Sequence, residues 1–298
     1  MKPPSFLTKP MPPAPVAEPV SSDRNRPSLP IIEQDPIKAG SLALLTQAAP
    51  WRYTLLHDRP DNVLIYLTRG QGVIIVNGVR RGLIANQAMF LPAGTLFALD
   101  FPKTAQGLMM QSPSGLTTRM PRECLHLRVR DSLAQAEIIS EIDTMGRELM
   151  HSRPLIDEAL EAHVRLIAVW LHRQIQAGAC EPFKDNAACR LTQRFAQNVT
   201  RDFFRPMGVS DYSERLEVTP THLTRVCRKS CGKTAADFLA ERKLYSARLA
   251  LSMSKMPIKD LASALGFSSA AYFTRFVQTQ SGHSPSGLRR QSQPKNRR

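Results

Sequence analysis

Two Thr-Arg pairs, Thr224-Arg225 and Thr274-Arg275, stand fifty residues apart near the end of a 298-residue chain. Arginine carries a planar fork of N–H donors. That fork can pair bidentately with O6 and N7 of guanine, a contact that discriminates between bases by about 1–3 kcal/mol. It serves a phosphate or an internal carboxylate equally well, so residue type alone leaves all three uses open. Arg228, Lys229, Lys233 and Lys255 add cations suited either to phosphate or to a solvated surface, and His222 is open to the same two readings.

Other reactive side chains do not assemble into a catalytic pattern. Cys227 and Cys231 are one helical turn apart, yet no second ligand pair follows at zinc spacing, so they read as core. Cys180 and Cys189 lack a neighbouring charge cluster to stabilise a thiolate. His57 and His126 are isolated, and no histidine lies between Gly70 and Phe101. No nucleophile elbow or phosphate loop occurs. The sequence therefore names no catalytic residue, no metal set and no cofactor.

What must position the two arginines is a divergent repeat, Val209–Val226 and Ile258–Arg275. In each copy a short helix with a small residue inside it (Ser213, Ala262) precedes a tight turn. An apolar turn residue follows (Val218, Phe267). A hydroxyl N-cap, Thr219 in one copy and Ser268 or Ser269 in the other, then opens a second helix. Leu223 or Phe273 anchors that helix, and its opposite face carries the Thr-Arg pair. This is helix-turn-helix grammar, in which the second helix is free to enter a major groove. Between the copies, Thr234–Met253 reads as one helix of roughly 30 Å with Phe238, Leu244, Ala247 and Leu251 as its buried stripe. That length approaches the roughly 34 Å between successive major grooves on one side of a duplex.

Charge falls in the same place. Of the net +15, residues 188–298 hold 20 Lys/Arg against 7 Asp/Glu, whereas residues 1–187 hold 20 against 18. Such asymmetry fits a polyanion-binding unit fused to a near-neutral one. No run approaches the roughly 20 apolar residues of a membrane span. The N-terminus has no secretory h-region, and five cysteines suggest reduced thiols, so the expected location is the cytoplasm.

The remainder divides by composition and period. Residues 1–30, with nine prolines, read as a disordered tail. Residues 31–131 read as short strands punctuated by Gly, Pro and the Asn77-Gly78 turn: Trp51–Leu56, Val63–Leu67, Gly72–Val79, Thr95–Phe101, Gly107–Gln111 and Cys124–Val129. They suggest a small β-barrel or jelly roll. Ile65, Leu67, Ile75, Phe90, Phe97 and Met109 would either line an effector pocket there or fill the interior themselves. Residues 132–187 read as a helical hairpin and linker. One stripe carries Leu133, Ala136, Ile139, Ile142, Met145 and Leu149, and the second helix begins near Pro154 and ends at Gly178. The hairpin has two open destinations, the barrel or a second subunit. Residues 188–290 read as all-helical, and 291–298 as a basic tail.

Residues 188–290 resemble the DNA-binding domain of the AraC/XylS family of bacterial regulators. The resemblance rests on Leu223-Thr-Arg225, Gly232, Arg242, Ala247-Arg248, Ile258, Leu261-Ala262, Leu265-Gly266-Phe267, Tyr272-Phe273-Thr-Arg275, Gly282, Pro285 and Arg289. It implies seven helices, two helix-turn-helix units, double-stranded DNA and RNA polymerase as partners, and transcriptional regulation, most often activation. It places Thr221, Thr224 and Arg225, then Ala270, Ala271, Thr274 and Arg275, toward DNA. The resemblance implies that Arg242 and Arg248 on the connector are structural or near DNA; they are read as structural, since a buried-edge arginine needs a carboxylate partner. Cys227 and Ser281 stand where the family favours aromatics. Ala270 and Ala271 replace longer polar side chains, which leaves more of the second unit's reading to Arg275, methyl contacts and DNA shape. The β region resembles the family's cupin-like sensor domains through Gly70, Gly72, Asn77-Gly78 and Leu91-Pro-Ala-Gly94. The expected fold is α+β, a cupin-like β-barrel or jelly roll with a helical hairpin, followed by an all-α domain. A small-molecule effector and a homodimer are compatible with it. Two alternatives stay open: a ligand-binding or catalytic cupin with an accessory basic domain, and a non-specific architectural DNA protein.

Overall fold

The computed structural model describes residues 36–47, 49–116, 119–183 and 185–292. The tail expected at 1–30, and all but the start of the basic tail expected at 291–298, lie outside these residues. The elements run β1 (Lys38–Ser41), α1 (Leu42–Gln47), α2 (Trp51–Thr54), β2 (Asp61–Arg69), β3 (Gln71–Val76), β4 (Val79–Ile84), β5 (Gln87–Leu91), β6 (Phe97–Asp100), β7 (Gln106–Pro113) and β8 (Leu125–Arg128). Helices follow: α3 (Ser132–His151), α4 (Ile156–Gln176), α5 (Ala187–Asp202), α6 (Val209–Arg215), α7 (Pro220–Cys231), α8 (Ala235–Met253), α9 (Ile258–Ala264), α10 (Ala270–Ser281) and α11 (Pro285–Ser292). The fold is α+β, with sheets first and a helical helix-turn-helix region last.

The strands form two antiparallel sheets, ordered β1-β7-β2-β5-β8 and β4-β3-β6. They are two open sheets, so of the barrel and the jelly roll that the strand rhythm suggested, the closed barrel is not what these strands form. Strand rhythm reports alternation but not which edges meet. Period two explains the layering. On β2, Val63, Ile65 and Leu67 point into the space between the sheets, against Ile74, Val76 and Leu99. Leu64 and Tyr66 point the other way, under Ile138, Ile142, Val164 and Trp170 of α3 and α4. The smaller sheet turns Ile75 and Ala98 outward, where they join the core of the C-terminal helices. The order of layers is helices, five strands, three strands, helices.

The helical hairpin thus packs on the larger sheet of its own chain, with Trp170 Nε1 donating to the Ala134 carbonyl at 2.9 Å. The buried face of α3 is Ala134, Ile138, Ile142 and Met145, and Leu133 is two-thirds exposed. That stripe is rotated from the expected one because the face laid on the larger sheet and α4 decides burial. Trp51–Leu56, expected as a strand, holds the short helix α2. Trp51 packs on Tyr245 of α8 while Tyr53 joins the core between the sheets and accepts from Gln111 of β7 at 2.8 Å, so tertiary contact overrides β propensity. The strands β4 and β5 were not distinct in the sequence. Arg80, Arg81 and Gly82 carry no strand signal, and β4 exists through the Asn77-Gly78 turn, where φ is +46° and +76° and Val76 faces Val79.

A seam joins the β unit to α8. The loop after α2 lays the His57 ring on Tyr245, 4.3 Å between centroids and nearly parallel, and Trp51 tilts against the same tyrosine at 5.6 Å. Asp58 pairs with Arg242, and the Leu56 N–H donates to Glu241 Oε2 at 2.9 Å. At the hairpin tip a Cβ on Gly78 would fall 2.5 Å from Thr192 Cγ2, so only glycine fits there.

Candidate nucleic-acid interface

The two repeats fold alike, down to their backbone hydrogen bonds. After α6 the Val218 N–H reaches the Ser213 carbonyl (3.0 Å) and the Glu217 N–H the Glu214 carbonyl (2.9 Å). After α9 the Phe267 N–H reaches the Ala262 carbonyl (2.9 Å) and the Gly266 N–H the Ser263 carbonyl (3.0 Å). Each is a Schellman turn with one left-handed residue, Glu217 at φ +57° and Gly266 at φ +75°. The carbonyls that accept the longer bond belong to the small residues Ser213 and Ala262, 2% and 1% exposed, where the helices cross.

Thr219 caps α7 by accepting the His222 N–H (3.1 Å), and Ser269, not Ser268, caps α10 by accepting the Tyr272 N–H (3.1 Å). Leu223 and Phe273 are fully buried, so both second helices are seated by their expected anchors. Asp202 on α5, which the sequence reading did not single out, fixes the first unit. It is 2% exposed and accepts from Arg201, Arg205 and Arg215 at 2.9–3.0 Å, the last reaching over from α6. Burial and this carboxylate push the Tyr212 hydroxyl upward from its ordinary value. A lone aspartate amid arginines carries no periodic signal, which is why the sequence did not disclose it.

On α7, Thr221, Arg225, Arg228 and Lys229 are exposed, and His222 and Thr224 are half-buried. Arg225 donates to Nδ1 of His222 at 3.1 Å, so the imidazole orients the guanidinium. On α10, Ala271 and Arg275 are exposed, Ala270 packs partly on the core, and the Thr274 hydroxyl turns back to the Ala270 carbonyl at 2.8 Å. The open face of α10 also includes Tyr272, half exposed, and Gln278. The spacing of Ala271, Arg275 and Gln278 was a signal available in sequence.

The connector α8 spans roughly 28 Å. Besides Phe238, Leu244, Ala247 and Leu251, it buries Leu239, Arg242, Tyr245 and Leu249. Arg242 has the carboxylate it needs, Asp58, and its guanidinium lies 3.7 Å from the Phe203 ring centre. The Arg248 guanidinium lies over Trp51 at 4.7 Å.

The expected pocket residues are divided among three packed clusters. Ile65, Leu67, Phe97 and Met109 fill the space between the sheets, Phe90 packs under α3 and α4, and Ile75 faces the C-terminal helices. All five cysteines are free thiols, and burial pushes Cys227 up to about 12. Among the described residues, no group of three His, Cys, Asp or Glu could hold a metal, and no helix is long and apolar enough to cross a membrane.

Residues 212–291 match the helix-turn-helix domain family. The chain is 25% identical over 142 residues to the HTH-type transcriptional regulator CdhR of Pseudomonas aeruginosa, covering 44% of this chain and 42% of that one. It is 28% identical over 249 residues to the HTH-type transcriptional regulator YfiF of Bacillus subtilis, covering 78% and 77%. Among solved structures it is similar to ToxT of Vibrio cholerae, with a TM-score of 0.37 and 12% identity over 85% of this chain and 94% of that one. The C-terminal region is a tandem helix-turn-helix domain of the kind that binds DNA. Over part of its length the chain is also similar to the arabinose operon regulatory protein of Escherichia coli, 23% identical over 128 residues.

Proposed function

We propose that the whole chain is a sequence-specific transcriptional regulator that reads double-stranded DNA with α7 and α10. The observation that carries this is the matched pair of Schellman turns, each seating a buried anchor (Leu223, Phe273) beneath an exposed arginine (Arg225, Arg275). In this reading Arg225 and Arg275 read base edges. Thr221, Thr224, Ala270, Ala271 and Thr274 line the groove, and His222, Arg228 and Lys229 meet phosphates. Tyr272 and Gln278 extend the α10 contact. Residues 31–131 form a cupin-like jelly-roll sensor, 132–187 the hairpin and linker, and 188–290 the DNA-binding domain. The protein acts in the cytoplasm without catalysis or cofactor and activates through RNA polymerase. Exposed Leu166 and Val169 on α4 offer an apolar stripe for a homodimer.

The test is selection of bound fragments from genomic DNA, followed by binding of Arg225→Ala to the selected site and to random duplex. The reading expects specific binding to fall about tenfold or more and random binding to change little. Equal loss on both duplexes would reduce Arg225 to a phosphate contact, and failure to select any sequence would favour an architectural role.

A further inference from the structure

One cavity lies away from the sandwich interior. It measures about 790 Å³, within the range of small-molecule sites, and opens between the start of β2, the end of β7, the turn before β6 and α4. Leu116, Met120, Pro121 and Val164 give it an apolar wall. Ser112 and Asn62, cross-strand partners on β7 and β2, border it as well. Ser112 is 1% exposed and its hydroxyl has no hydrogen-bond partner. A buried hydroxyl left without a partner is costly and uncommon, and this one lies at the cavity's border. Asn62 spends its carboxamide oxygen on the Ala93 N–H at 3.1 Å, which leaves its nitrogen as a donor.

The charge of the described residues at this cavity has one sign. Arg119 and Arg122 border it, and among the described residues no bordering one is acidic. Their segment is fastened to α4, because His172 Nε2 donates to the Arg119 carbonyl at 2.9 Å. Guanidinium groups match the planar, two-oxygen geometry of a carboxylate. The apolar wall calls for a hydrocarbon body behind it.

We propose that this cavity binds a small amphipathic carboxylate. Arg119 and Arg122 take the carboxylate oxygens, Ser112 and Asn62 complete their hydrogen bonds, and Leu116, Met120 and Val164 cover the apolar body. As an effector site it rests on the regulator reading above, and as a binding site it does not. Its position beside α4, which leads through the linker into α5, places an occupant next to the connection with the DNA-binding helices.

The experiment is calorimetric titration of the full chain with butyrate, octanoate, benzoate and phenylbutyrate, each beside its neutral amide, and with inorganic phosphate. At least one acid should bind saturably and about tenfold or more tighter than its amide. The double variant Arg119→Gln, Arg122→Gln should erase that preference, and Ser112→Ala should weaken the acid several-fold, with unchanged far-ultraviolet dichroism and unliganded Tm. Acid and amide binding alike, no saturable binding by any acid, tighter binding of phosphate than of every acid, or a preference that survives in the double variant would each overturn the assignment. Selection of a DNA site by the unliganded protein separates this failure from failure of the regulator reading.

Discussion

Arg242 and Asp58 lie 184 positions apart in the chain and pair across the seam between α8 and the loop that follows α2. The arginine is 3% exposed and the aspartate about a fifth exposed, so the ion pair is sheltered mainly on the helix side. Removing the carboxylate strands a buried guanidinium, which costs about 3–5 kcal/mol for a buried pair and less where one partner still meets water. Asp58→Ala is expected to lower unfolding free energy by about 2–3 kcal/mol in urea titration, and Arg242→Met, which keeps much of the volume, by less. Equal stability of Asp58→Ala and the parent would show that the seam holds without this pair.

The two anchors should differ from their neighbours in stability, not in charge. Leu223→Ala and Phe273→Ala each leave a cavity in the helical core, with an expected loss of about 2–5 kcal/mol. Thr221→Ala, on the exposed face of α7, should stay within about 0.5 kcal/mol. Chemical denaturation of the three variants side by side checks the ranking.

The paired turns predict opposite responses to opposite substitutions. A Cβ on Gly266 would lie 2.4 Å from the Phe204 carbonyl oxygen, and φ there is +75°. Gly266→Ala should therefore cost more than the roughly 1–2 kcal/mol of the left-handed backbone alone. Glu217 occupies the same place in the first unit at φ +57°. Glu217→Gly should relieve part of that strain and leave Tm unchanged or raised. A fall in Tm for both variants would contradict the equivalence of the turns.

Acid should loosen the β unit before it protonates most carboxylates. Burial holds the His57 imidazole well below its ordinary 6.5, with Nδ1 donating to the Leu55 carbonyl at 2.8 Å, and burial lowers His126 too. Because their folded pKa lies below the unfolded one, the unfolded chain binds the extra protons. The associated stability is present above about pH 6.5 and is lost as pH falls through the window below it. Each such group adds a slope of at most about 1.4 kcal/mol per pH unit. In His57→Phe, which keeps a ring against Tyr245, the decline in stability between pH 7 and pH 5 should be visibly shallower. An unchanged slope would remove His57 from the account.

Salt titration tests the charge argument on its own. With several phosphate contacts, log K for DNA should fall linearly with log salt at roughly 0.9 per contact. Lys229→Ala should reduce that slope by about one contact on specific and random duplex alike. A slope near zero would contradict a phosphate-binding face.

What could be read from sequence was what repeats. The helix-turn-helix units disclosed themselves through Ser213 and Ala262, Val218 and Phe267, Leu223 and Phe273, because each role demands a residue type at a set offset. The hairpin turn at Asn77-Gly78 was legible for the same reason. The seam was not, since Asp58 meets Arg242 only after two units dock, and no local pattern encodes that. The sandwich interior was half legible: the inward residues of β2 were recognisable as apolar, but not that Leu64 and Tyr66, equally apolar, serve another layer. The extra apolar residues of α8, Leu239, Tyr245 and Leu249, fell outside a single stripe and carried the missing information, because a helix apolar on more than one side is one covered on more than one side.

That full coverage of α8 bears on how the chain can be divided. Tyr245 lies under His57 and Trp51, and Phe238 backs the hairpin tip at Gly78. A fragment severed after α4 would present these rings to water, and it is expected to unfold at a lower temperature than the intact chain. The β half shields the spine that carries α7 and α10.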